Sequence, residues 1–327
     1  MIDRISVITG TRTDPYANLA LELYLTETVP EGTCRLYLWQ NRQTVVIGRN
    51  QNAVKECRSA LLEEDGGYLA RRLSGGGAVY HDSGNLNFTF CVNKEDYDLG
   101  RQQSVLLTAC RLLGIDAEIS GRNDLTVQGR KFSGNSFYSH KGKSFHNGTI
   151  LIDVDQNALG KYLNPSKAKL VSKSVDSVRS RVINLKELVP DLTVEQTVEA
   201  MTEAFGQVYG LKPEVTHDTD FTGERLDELT SFFGGREWNY GASAPADFSC
   251  TERFGWGELT LELIVRGETV SGVRVYTDSM DYSLSESIEN CLSGVPFGAT
   301  AMKQRIHSAV RDKTVAADLC GMIDRNV

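Results

Sequence analysis

The 327-residue chain predicts an α+β protein built on a mixed sheet, with one large domain followed by a small one. Three observations carry that reading. Strand-like and helix-like runs follow one another without a steady βα alternation, which disfavours a doubly wound parallel sheet. Hairpin turns are frequent: Gln128-Gly129, Lys141-Gly142 and Arg266-Gly267-Glu268 each separate two strand-like runs. Finally, the patterns restart after "EWNYGASAPADF", a stretch of small residues and proline. That places a boundary near Pro245 to Thr251, with domains over 1–247 and 248–327.

Asp14-Pro15 reads as an N-cap and first helical residue, with Leu19, Ala20 and Leu23 continuing an apolar stripe. "CRLYLWQ" and "TVVIG" read as strands, "NAVKECRSALLEED" as a single helix and "YLARRL" as another strand. "NLNFTFCV" alternates, with Leu86, Phe88, Phe90 and Val92 facing a core and Asn85, Asn87, Thr89 and Cys91 free to line a site. A helix at "SVLLTACRLLG" precedes short strands between Ala117 and Val154. "TVEQTVEAMTEAFGQVYG" is a helix whose Thr193 and Gln196 fit a capping box. "WGELTLELIV" and "TVSGVRVYTD" form a hairpin, followed by a helix capped by Ser283 with Glu286.

Composition removes several functional classes. No apolar run approaches the roughly 20 residues of a membrane span, and the start "MIDRISVITG" resembles neither a signal nor a transit peptide. Seven scattered cysteines without a CxxC pair suit reduced thiols in a cytoplasm, not a disulfide frame or a zinc site. A net charge of −8 argues against a dedicated nucleic-acid binder.

Two stretches carry the chemistry. In "ARRLSGGGAVYHDSGNLN", residues 70–87, three consecutive glycines strip side chains from the backbone, so N–H groups can approach an anion closely. Arg71 and Arg72 stand beside it, and a guanidinium fork matches phosphate oxygens. The stretch is neither a GxGxxG fingerprint nor a Walker loop; the "GKS" at Gly142 has Phe137 where a Walker loop needs glycine. The second stretch is "GRNDLTVQGRKFSGNSF", residues 121–137, where Lys131 follows a hairpin turn. Such a lysine either protects an edge or points inward as a compact positive charge for a phosphate or an acyl carbonyl.

Taken in order, "RRLSGGGAVYHDSGNLNFTF", "GRNDL…GRKFSGNSF", "FHNGTIL" and "SVRSRV" resemble the lipoate–protein ligase A family. The likeness continues through "EWNYG" into "FGWGELTLEL…VYTDSM" and covers nearly the whole chain. It implies a mixed-sheet domain of the biotin–lipoate ligase type, related to class II aminoacyl-tRNA synthetase cores, with a small α+β C-terminal accessory domain. It also implies a two-step reaction, in which ATP and lipoate give lipoyl-AMP and pyrophosphate. The lipoyl group then passes to a lysine on apo-lipoyl domains of 2-oxoacid dehydrogenase complexes or on the glycine cleavage H protein. The implied ATP and lipoyl-AMP site comprises Arg72, Ser74, Gly75, Gly76, Gly77, Ala78, Val79, Tyr80, Arg122, Lys131 and Thr149. Lys131 would be the catalytic residue and, with His146, would bind lipoate. ATP would come with Mg²⁺, whose protein ligands the resemblance does not assign. Bringing two anions together needs fixed cations and backbone dipoles but little covalent chemistry from the protein.

Leu73 and Asn147 depart from the family pattern, which has small polar residues or histidine there. Two alternatives compete: an ATP-independent acyltransferase of the same fold, for which Cys91 is the cysteine nearest the motifs, and a non-catalytic lipoyl-AMP-binding protein, which would have a damaged site. A biotin ligase is disfavoured because the chain lacks a Gly-Arg-Gly-Arg loop. Residues 161–181 hold six basic residues against Asp176; Lys167, Lys169 and Lys173 are expected to steer an acidic acceptor, and Ser177 to Arg181 to cover the intermediate.

Overall fold

A computed structural model describes residues 1–121, 124–163, 182–241 and 246–327. The strands are β1 (Arg4–Thr9), β2 (Thr33–Trp39), β3 (Thr44–Ile47), β4 (Tyr68–Arg71), β5 (Val79–His81), β6 (Asn85–Asn93) and β7 (Glu118–Ser120). They continue with β8 (Asp124–Val127), β9 (Arg130–His140), β10 (Lys143–Leu151), β11 (Glu214–His217), β12 (Phe248–Phe254), β13 (Gly257–Arg266) and β14 (Thr269–Thr277). The helices are α1 (Pro15–Glu27), α2 (Ala53–Glu56), α3 (Ser59–Glu64), α4 (Leu99–Leu112), α5 (Gln156–Tyr162) and α6 (Val194–Tyr209). After them come α7 (Glu224–Gly234), α8 (Arg236–Tyr240), α9 (Leu284–Leu292), α10 (Ala299–Ala309) and α11 (Lys313–Asn326).

Eight strands form one mixed sheet in the order β11-β1-β2-β6-β10-β9-β8-β7. β1 runs parallel to β11 and β2, and the rest of the ladder is antiparallel. The β8–β9 and β9–β10 turns use Gln128 and Gly129 at φ 53° and 72°, and Lys141 and Gly142 at φ 47° and 75°. Paired positive φ values make hairpin turns whose twist matches the flanking strands. On one face α4 and α6 bury Val105, Leu106, Met201 and Phe205 against Leu86, Phe88, Phe90 and Val92. On the other, α1 and α7 pack Leu19, Leu21, Leu25, Leu226 and Phe233 against Tyr37, Trp39 and Cys91. Both faces of β6 are therefore covered and all nine of its residues are buried; of the polar face expected to be able to line a site, Asn87 lines the cleft described below.

A small sheet, β4-β3-β5, sits beside the large one, and its cluster includes Val45, Ile47, Leu62, Tyr80 and Tyr162. The helix expected over residues 52–65 is two helices, because the chain is pinned between them. Cys57 bridges to Leu163, and the Arg58 N–H donates to the Tyr162 carbonyl at 2.9 Å. From Phe248 onward, β12-β13-β14 and α9 to α11 enclose a core of their own around Leu259, Leu261, Ile288, Met302 and Ile323. Ser283 precedes α9 but its side chain does not cap it. The hydroxyl donates instead to Asp281 Oδ1 at 2.7 Å, and Glu286 faces Arg49. The Thr193–Gln196 capping box on α6 is present, with bonds of 3.0 and 3.2 Å. Among the described residues no helix is long and apolar enough to cross a membrane.

Candidate active site

Gly76 and Gly77 of the glycine run line a cleft of about 190 Å³, open where the small sheet meets β6, β9 and β10. Its shape begins at Gly48, at the end of β3. A Cβ there would lie 2.2 Å from the Gly76 carbonyl oxygen, so the two backbones touch only because residue 48 has no side chain. The Arg49 N–H then donates to the Ser74 carbonyl at 3.0 Å. Arg72 closes the loop from beneath: its guanidinium donates to the carbonyls of Val46, Gly75 and Gly77 at 3.2, 2.7 and 2.8 Å. These bonds fix the glycine loop against β3, and the N–H of the peptide after Gly75 is itself taken by the Ser279 carbonyl. Burial lowers the Arg72 pKa to about 10, with the charge of Glu22 opposing the shift, so the group stays cationic at neutral pH.

The three glycines differ. Gly75 is pressed against the chain after β14; a Cβ would sit 2.5 Å from the Ser279 oxygen and 2.7 Å from that of Met280. Gly76 has φ +90° and donates its N–H to the Ser279 carbonyl at 2.9 Å. Gly77 meets nothing within 4 Å and needs no positive φ. Gly77→Ala is therefore expected to leave the melting temperature within about 1 °C of wild type while weakening nucleotide binding about tenfold. Gly75→Ala should melt lower. Calorimetric titration with equal nucleotide affinity for wild type and Gly77→Ala would remove residue 77 from the cradle.

Lys131 enters from β9, beside a register shift against β8 that offsets Lys131 from its neighbours. Its Nζ lies 2.6 Å from Asp124 Oδ1, and its side chain is 39% exposed. The Ile183 N–H donates to the Lys131 carbonyl at 2.9 Å, fixing the strand on its other side. Thr149, on β10, accepts weakly from the Gly134 N–H at 3.4 Å.

Of the sequence-predicted set, Arg72, Gly76, Gly77, Ala78, Val79, Lys131 and Thr149 line this one cleft. Ser74 lies just below, its Oγ 2.8 Å from that of Ser136, which does line it. Gly75 backs onto residues 279–280, and Tyr80 points away, stacked on Tyr162 at 5.7 Å. The structure does not bring His146 to the cleft. That imidazole is fully buried on the α4–α6 face, bonded to Gln102 and Asn135 and packed by Phe88, Phe90 and Phe137. Burial holds its pKa down to about 3, so it is neutral. Arg71, the other arginine of the motif, spends its guanidinium on the carbonyls of Gly48, Arg49, Gln51, Trp238 and Asn239 and ties three segments together. Arg122 and the basic residues from Lys167 to Arg181 lie outside the described residues.

The sequence reading missed the apolar and amide wall: Leu19, Trp39, Asn135, Ser136, Asn147 and Met280 line the cleft too. Met280 comes from the second core, whose loop also binds the first through Thr277 N–H to Asn50 O at 2.8 Å and Asn50 Nδ2 to Tyr282 O at 2.8 Å. All seven cysteines are unpaired and buried, and none lines the cleft. Cys91 accepts from Thr26, and burial raises its thiol pKa to about 12.

Residues 14–206 match the model of the lipoyl protein ligase A/B catalytic domain, and residues 243–316 match the bacterial lipoate protein ligase C-terminus. The chain belongs to the lipoate–protein ligase family. P. falciparum LipL1, solved in complex with lipoate, is 26% identical with a TM-score of 0.87, over 98% of this chain and 100% of that one. A bipartite lipoate protein ligase from Thermoplasma acidophilum, studied with its E2 lipoyl domain, is 25% identical with a TM-score of 0.65, over 76% of this chain and 100% of that one. A lipoate-protein ligase A bound with ATP shares the fold, at 24% identity and a TM-score of 0.61, over 74% of this chain and 99% of that one. In this family the second core, from Phe248 onward, is the accessory C-terminal part.

Proposed function

We propose that this lipoate–protein ligase relative activates lipoate with ATP and then transfers the lipoyl group to a lysine of an acceptor lipoyl domain. The observation carrying this reading is that Arg72, the open face of Gly77 and Lys131 line one cleft with apolar Leu19, Trp39, Val46 and Met280. A cleft with cations along one part and hydrocarbon along the rest suits an acyl chain ending in a carboxylate beside a phosphate. In the first step a lipoate carboxylate oxygen attacks the α-phosphorus of ATP, and the bond to the bridging oxygen breaks to release pyrophosphate. In the second, the acceptor amine attacks the acyl carbon, AMP leaves, and the amine gives up a proton.

Lys131 would sit between acyl and phosphoryl oxygens, exchanging its contact with Asp124 for them. Arg72 would hold the glycine loop in its anion-ready shape and add positive potential from below. Thr149, residues 76–79 and Arg122 would complete the nucleotide site. Mg²⁺ would enter with the ATP phosphates, as it commonly does at nucleotide sites. We divide the chain into a catalytic domain over 1–247 and an accessory domain over 248–327, and we expect cytoplasmic acceptors of the 2-oxoacid dehydrogenase or glycine cleavage H type. A cysteine-based transferase is disfavoured by Cys91, a buried thiol with its pKa raised to about 12 and no place in the cleft wall.

The deciding experiment is exchange of labelled pyrophosphate into ATP. Exchange that depends on added lipoate is expected. No exchange, together with acyl transfer from an acylated carrier in the absence of ATP, would overturn the ligase reading in favour of the transferase.

A further inference from the structure

Behind the cleft runs a chain of buried polar side chains. Ser136 and Asn147 line the cleft; Ser74, Glu22 and Thr89 lie one layer in, and all five are at most 8% exposed. Ser136 Oγ donates to Asn147 Oδ1 at 2.6 Å, and Asn147 Nδ2 donates to Glu22 Oε1 at 2.9 Å. Thr89 Oγ1 donates to the same carboxylate oxygen at 2.7 Å and accepts from Trp39 Nε1 at 3.2 Å. A hydroxyl has one proton. Since Ser136 has given its proton to Asn147, the 2.8 Å contact with Ser74 requires Ser74 to be the donor. The hydrogen bonds from Ser74 through Ser136 and Asn147 thus all run toward Glu22.

We propose that Glu22 is a positioning residue: as the terminal acceptor of this chain it fixes the amide orientation of Asn147, and through Ser136 the side chain of Ser74. The inference rests on the cleft being the ligase site. Glu22 itself is absent from the cleft wall, so its effect travels through Asn147 and Ser136.

The charges around Glu22 allow its ionisation to be followed. Arg72 favours the carboxylate, while Tyr37 on β2 and Cys91 on β6, both buried, have their own ionisation opposed by it. His81 beside Arg72 is held neutral, with a pKa near 3. Burial leaves Glu22 titrating at about 7, so ionisation, which makes the bond from Asn147 charge-assisted, comes within the working range.

The test combines nuclear magnetic resonance with kinetics. In wild type, the side-chain amide signal of Asn147, identified by its loss in Asn147→Asp, is expected to move with pH around 7 and to stay fixed in Glu22→Gln. In pyrophosphate exchange, Glu22→Leu should lose 10–100-fold in kcat/KM for lipoate with the KM for ATP within about threefold of wild type. Glu22→Gln should retain most of the activity and flatten the pH profile below 8. Asn147→Asp sets two carboxylates against each other; it should be impaired, and Glu22→Gln in the same chain should restore it, because the new amide can donate to the new carboxylate. An Asn147 amide indifferent to pH, or a Glu22→Leu enzyme with wild-type kcat/KM for lipoate, would overturn the proposal. If wild type shows no exchange but the amide still titrates, the ligase reading fails and the positioning role of Glu22 stands.

Discussion

Lys131→Ala is expected to lower lipoate-dependent pyrophosphate exchange by about 10³-fold, the scale on which removal of one preorganised group at a developing charge usually falls. The fold should survive. Among the described residues the Lys131 ammonium pairs with Asp124, it is 39% exposed, and ion pairs of that kind contribute about 0–1 kcal/mol. A far-ultraviolet spectrum and melting temperature close to wild type, with exchange nearly gone, is therefore the expected pair of results. Lys131→Arg should also be poor. A Cβ on Gly134 would lie 2.9 Å from Nζ, so the ammonium already fills a space bounded by backbone, and a planar fork needs more room. Near-normal exchange by Lys131→Ala would mean that the cleft's cationic work belongs to Arg72.

The second large effect concerns stability, and its sign opposes that of function. Burial raises the Glu22 pKa from 4.5 to about 7, so the folded protein binds a proton more tightly than the unfolded chain does. For a carboxylate shifted upward, stability is greatest below the unfolded value and is lost as pH rises from about 4.5 through 7. The shift corresponds to about 3 kcal/mol, fully lost by pH 8. Glu22→Gln keeps the shape and an acceptor oxygen without the buried charge. It should match wild type near pH 4.5 and exceed it by up to about 3 kcal/mol at pH 8. Urea unfolding at several pH values, following the transition of the large sheet, measures this. A wild-type-to-Gln difference that does not change with pH would show that Glu22 is not the titrating group.

The sequence carried the parts of the site that depend on local chemistry. The glycine run, Arg72 and Lys131 stood out as members of motifs that occur in family order, since a glycine run or a hairpin lysine on its own has commoner structural uses, and the hairpins around Lys131 had turn residues at positive φ. Glu22 did not stand out. It lies on a helix whose apolar stripe was read from Leu19, Ala20 and Leu23, and an acidic residue beside such a stripe looks solvated; only the packing of α1 between β6, β10 and α7 buries it. His146 was misplaced because Asn147 and His146 are sequence neighbours, and strand alternation sends them to opposite faces. β1 and β11 gave no local signal for their pairing, since parallel partners some 200 residues apart leave no turn between them to read. The break after Glu56 was equally invisible, because its cause is Leu163 and Tyr162.

The joint between Gly76 and Ser279 also has a consequence in time. A ribosome adding roughly 5–20 residues per second takes about 10–40 s to travel the 200 or so residues between them. Throughout that interval the glycine loop has its floor, from Gly48 and Arg72, but neither the carbonyl that receives the Gly76 N–H nor the Met280 wall. The nascent chain can close most of its large sheet before it has a finished cleft. Ligand affinity should therefore arrive late and abruptly during synthesis, when residues 277–282 clear the exit tunnel and dock, so that the newborn chain has no complete cleft before its last quarter exists.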